Sequence, residues 1–144
     1  MHPTSAIEAD AVKRPLLFRW RGPLPEDTLR HWTMRHRSVP PDLLRFWSST
    51  GGGEAFETET FLSPIGEPST GDDIDGVTSS YRRAGLPPDW VVFHVGLGLS
   101  AFHLIDGRLA WFGQRTGEPT QVFDSFDGWY RGTLRPEYAD RYAL

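Results

Sequence analysis

The 144-residue chain contains no cysteine. Disulfide frameworks, thiolate nucleophiles and cysteine-ligated zinc sites are therefore excluded, and a reducing compartment is permitted. No apolar run approaches the roughly 18–20 residues that a membrane helix requires, and the opening MHPTSAIEADAVKRP lacks the apolar core of a signal peptide. A cytoplasmic location with no membrane partner is the expectation. Four catalytic or ligand-binding signatures are also missing: the GxSxG elbow, the HExxH zinc helix, the Walker loop and the EF-hand loop. Residues 46–81, finally, contain no lysine or arginine.

That last absence leaves seven acids uncompensated in the segment: Glu54, Glu57, Glu59, Glu67, Asp72, Asp73 and Asp75. Residues 1–45 hold eight basic and five acidic residues, and residues 82–144 hold seven of each, so the charge is local. Such a field repels nucleic acid and attracts a basic partner, or else it is solvated surface. If it is a contact, Glu54, Glu57, Glu59, Asp72, Asp73 and Asp75 are the expected partner-binding residues, mainly exposed.

What is present fits one globular domain. Hydrophobic residues make up 38% and aromatics 13%, enough for a real core at this length. Residues 1–15, including His2, are expected to be frayed. LLFRWRG reads as a short edge strand ending at Gly22. LPEDTLRHWTMRH is a helix with acids first and bases last, turning Leu29, Trp32 and His36 to one side. PPDLLRFWSS is a second helix with Leu43, Leu44 and Trp47 inward. The TGGG that follows is then a helix exit through a left-handed glycine, because a phosphate loop has the reverse order, glycines opening a helix, and also needs a lysine.

EAFETETFL reads as one strand, with Glu57 and Glu59 on a common face. A Pro/Gly/Asp-rich loop leads to a helix in IDGVTSSYRRAGLP, capped by Asp72 or Asp73. WVVFHVG, LSAFHLIDG and RLAWFGQ form an antiparallel meander, and VFDSFDGWYRGTL a closing helix with Phe126, Trp129 and Tyr130 available to pack. Trp32, Trp47 and Trp111 are expected in the core; Trp20, Trp90 and Trp129 are less constrained. By strand parity His94 and His103 share a sheet face as near neighbours, but two histidines do not make a zinc site, and His31 and His36 are five apart rather than four. No metal, cofactor or catalytic residue is expected.

Three of these stretches, SVPPDLLRFWSSTGGGEAF, DWVVFHVGLGLSAFHLIDGRLAWF and VFDSFDGWY, in this order over about residues 25–134, resemble the SMI1/KNR4 family (SUKH superfamily). The sequence has Val39-Pro40 where Leu-Pro is usual, Thr50 where Asn is usual, and GLGLS in a turn that often carries acids or amides. The resemblance implies an α+β domain, a twisted antiparallel β-sheet covered by helices. It also implies a noncatalytic role, in bacteria an immunity protein that neutralises a cognate toxin, often a nuclease, by direct binding and occlusion. A regulatory scaffold domain that binds a nontoxin protein is the alternative, and a small hydrolase the third. Oligomeric state is left open.

Overall fold

The computed structural model describes residues 5–36, 38–67, 69, 71–113 and 117–144; His2 lies outside them. The TGGG stretch ends a helix. Helix α3 (Pro41–Thr50) starts with proline in its first turn, where no N–H is needed, and exits through Gly51 at φ +74°, whose N–H bonds Trp47 O. A Cβ on Gly51 would collide with the carbonyl oxygen of Gly22, so close approach and left-handed backbone both require glycine there. The chain then enters strand β2 (Gly53–Ala55), as the order of patterns predicts.

Six α-helices and a seven-stranded antiparallel sheet are found among the described residues. The chain is α+β, with helices packed on an antiparallel sheet. Its elements run α1 (Ala6–Lys13), β1 (Phe18–Trp20), α2 (Glu26–Arg35), α3, β2, β3 (Glu59–Phe61), α4 (Ile74–Arg83), β4 (Trp90–Val95), β5 (Leu99–His103), β6 (Leu109–Gly113), β7 (Gln121–Phe123), α5 (Phe126–Gly132) and α6 (Leu134–Tyr142). Sheet order equals chain order, with β1 and β7 as the edges.

One sheet face packs against an aromatic cluster from the helices: Phe46 of α3 and Phe126 and Trp129 of α5 meet Phe61 and Phe93, while Trp32 of α2 meets Trp47 and Phe102. All of these side chains are buried. Thr60 and Val95 point the other way by the pleat and line a cleft with Val77 and Tyr81 of α4, which is tied to the β4 backbone where the Thr78 hydroxyl accepts the Val92 N–H and Arg82 donates to Trp90 O. Asp42 of α3 accepts the N–H groups of Phe126 and Asp127, satisfying the free start of α5 and fixing that helix to α3.

Several expectations are corrected. Residues 6–13 are helical rather than frayed: Ser5 accepts the N–H of Glu8, Ile7 is buried, and buried Asp10 receives Tyr130 Oη at 2.7 Å and Arg135 Nε at 3.1 Å. EAFETETFL is a hairpin of two strands, not one. Trp111 is half-buried, whereas Trp90 and Trp129 lie in the core. No helix among the described residues is long and apolar enough to cross a membrane.

Candidate functional site

Glu59 opens β3 and is 1% exposed. A lone carboxylate there would carry a heavy desolvation penalty, so its partners decide whether the fold tolerates it. His94 Nε2 lies 2.8 Å from Oε1, Leu97 N–H donates at 3.0 Å, and Tyr138 and Thr58 hydroxyls donate to Oε2 at 2.8 and 2.9 Å. Gly96 makes the Leu97 contact available, since a Cβ there would strike the carboxylate. Burial pushes the Glu59 pKa up, but the donors from His94, Leu97 and Tyr138 outweigh it and hold the group below its ordinary value. The chain continues through His94: Nδ1 lies 3.0 Å from Ser100 Oγ, which accepts Trp129 Nε1–H at 2.9 Å.

Protons can be placed consistently in one way. With His94 neutral and protonated on Nε2, Trp129 donates to Ser100, Ser100 to Nδ1, and Nε2–H to ionised Glu59. A doubly protonated ring would leave the Ser100 hydroxyl proton without an acceptor among the described residues. Burial likewise lowers the His94 pKa, against the pull of Glu59. Ser100, His94 and Glu59 thus have the connectivity of a hydrolase triad, but Ser100 and His94 have no exposed surface and Trp129 already occupies the serine oxygen. The arrangement joins β3, β4, β5, α5 and α6, and it fixes the position of the β2–β3 hairpin.

The hairpin turn is itself unusual. Phe56 and Glu57 both have positive φ, +53° and +70°, in the three-residue turn between paired Ala55 and Glu59, a backbone region where glycine or asparagine is the usual residue. Phe56 is held there by stacking on Tyr138 at 4.4 Å between ring centroids, beneath Phe18 at 5.1 Å. The consequence is outward presentation of Glu57, beside Glu54, which lies opposite Arg19 in the β1–β2 backbone register.

Glu54, Glu57 and Arg19 line a cleft of about 270 Å³ together with Leu17 and the flank of Leu16. None of the three charged side chains has an ion-pair or hydrogen-bond partner among the described residues. On the other flank of Leu16 is a largely apolar cleft of about 320 Å³, lined by Lys13, Arg14, Pro15, Leu17 and Tyr142. Leu16, between the two, is 94% exposed, and Val12 nearby is 82% exposed.

The six expected contact acids are therefore divided. Glu54 and Glu57 share the open cleft. Glu59 is an internal anchor and not a surface contact, because the hairpin turns it inward onto His94. Asp72 is half-buried and bonds Arg21 at 2.9 Å; Asp73 caps α4 through Gly76 N–H at 2.8 Å; exposed Asp75 faces Arg35 at 3.7 Å and His36 at 3.9 Å. His94 and His103 are not neighbours: His94 pairs with Ser100 and His103 with Trp90, with a bulge between Val92 and His94. Among the described residues no three His, Asp or Glu side chains converge as a metal set.

Leu16 and Arg19 were not among the expected contacts. Parity with Phe18 and Trp20 places Leu16 inward, but Pro15–Leu17 is a 3-10 turn, and Pro15 was its signal. Tyr138 was also missed, although Leu134, Tyr138 and Tyr142 recur at four-residue spacing. The chain matches no protein-family model and no curated protein.

Proposed function

We propose that the chain is a noncatalytic protein-binding module whose contact surface is the Leu16 ridge with Glu54 and Glu57, and whose partner is basic. The SUKH resemblance extends this to an immunity protein that neutralises a cognate toxin by occluding its active or substrate-binding surface. The observation that carries the reading is the exposed Leu16 beside two carboxylates without partners. An apolar centre with charged rim groups is the anatomy of a protein contact, and free carboxylates steer a basic partner without first breaking an internal ion pair. Glu54 and Glu57 would occupy a nuclease's basic groove in place of phosphate.

The test is neutralisation of a candidate toxin taken from a reading frame neighbouring this chain's gene. The parental protein is expected to abolish toxin activity at equimolar ratio, and Leu16→Asp with Glu54→Lys and Glu57→Lys to fail while remaining folded by circular dichroism. Full neutralisation by that folded variant would refute this surface.

A further inference from the structure

The Leu16 ridge has a property that a heterologous partner alone does not require: its two flanks carry opposite charge. Residues 12–16 are all exposed and bring Val12, Pro15 and Leu16 together with Lys13 and Arg14. Across Leu16 lie the free carboxylates of Glu54 and Glu57, and the apolar cleft sits beside the protruding leucine.

We propose that a second copy of this chain covers the ridge, forming a two-fold homodimer in the free protein. A two-fold interface brings a surface against itself, so it is favourable when protrusion lies next to cavity and positive next to negative. With the axis passing beside Leu16, each leucine enters the other copy's cleft of Lys13, Arg14, Pro15, Leu17 and Tyr142. Each Lys13–Arg14 flank then meets Glu54 and Glu57 of the other copy. A purely basic partner covering the whole ridge would be repelled at Lys13 and Arg14 on the rim of the apolar cleft, whereas a second copy brings its carboxylates there. Arg19, on the acidic side, reduces the attraction there without reversing it, and a contact confined to this ridge suits a weak, exchangeable dimer. The proposed basic partner would displace the second copy, at least over Leu16, Glu54 and Glu57.

Sedimentation velocity of the full chain over a concentration series tests the dimer with no toxin present. The parental chain is expected to shift from monomer to dimer with rising concentration, and Leu16→Asp to remain monomeric. Lys13→Glu with Arg14→Glu makes one variant whose flanks are both acidic; Glu54→Lys with Glu57→Lys makes one whose flanks are both basic. Each alone is expected to be monomeric, and their equimolar mixture to form a dimer, an outcome that loss of folding cannot mimic. A parental chain that stays monomeric up to about 1 mM, beyond the range of a specific weak contact, or a mixture that does not associate, would overturn the homodimer. Neutralisation by a strictly monomeric chain would then assign the ridge to the toxin alone, while a dimer that fails to neutralise would retain the self-contact and sink the immunity reading.

Discussion

Glu59 and Glu57 are two residues apart and have opposite fates. Glu59 is surrounded by donors, and replacing it with glutamine places an amide NH2 among N–H and O–H groups that all need an acceptor. Glu59→Gln is expected to lower stability by about 2–3 kcal/mol at pH 7 in urea denaturation, as for other buried groups left facing unsatisfied donors. The pH dependence follows from the shifts. The native pKa values of both His94 and Glu59 lie below their ordinary values, so the unfolded chain binds more protons and stability rises with pH. The His94 contribution is complete above its ordinary 6.5 and declines as pH falls below it; the Glu59 contribution is complete above 4.5 and is lost as pH falls through its lower native value. The gap between parent and Glu59→Gln is therefore expected to narrow in acid, where the parental carboxylate also becomes protonated. A gap that stays constant down to pH 3 would contradict an ionised Glu59 in the native state.

Among the elements, legibility followed the length and regularity of the pattern. α2, α3, α4, α5 and the meander β4–β6 were readable because their periodicity and turn residues agree, and Asp73 was correctly one of two candidate caps. α1 was missed although Ser5 and Glu8 have the spacing of a capping box, because the apolar face of AIEADAVK is only Ala6, Ile7 and a buried aspartate. α6 was missed because Pro136 suggests a break, yet it sits in the first turn, where no helical N–H is required. The β2–β3 hairpin was hidden by its turn, since nothing in Phe56-Glu57 announces positive φ. Glu57→Gly should remove that strain and raise stability by about 1 kcal/mol, read as a shift in the urea midpoint with unchanged slope. No change would mean that the turn relaxes without cost and does not hold Glu57 outward against a preference.

For the whole molecule, the sequence correctly located the charge but not its neutralisation. The segment from 46 to 81 has no basic residue, yet Arg21 comes to Asp72 and Arg35 to Asp75 from elements that precede it, and His94 comes to Glu59 from one that follows. Sheet order placed those partners, and no local composition reveals them. The β-bulge between Val92 and His94 similarly defeated strand parity for the histidines. What remains of the acidic field after folding is chiefly Glu54 and Glu57 at the first sheet edge, next to an exposed leucine that the sequence pattern hid.

The most direct measurement of that division is the association rate with the proposed basic partner, a candidate toxin domain taken from a neighbouring reading frame, compared between two folded variants at low salt. Glu54→Lys with Glu57→Lys is expected to associate at least about tenfold more slowly and to lose most of its salt dependence, because steering charges at the contact are reversed. Asp72→Asn with Asp75→Asn changes net charge by half as much, at sites already facing Arg21, Arg35 and His36, and is expected to stay within about twofold of the parental rate. The opposite pattern, parental association by the first variant and slow association by the second, would place the contact at the start of α4 and contradict the assignment to Leu16, Glu54 and Glu57.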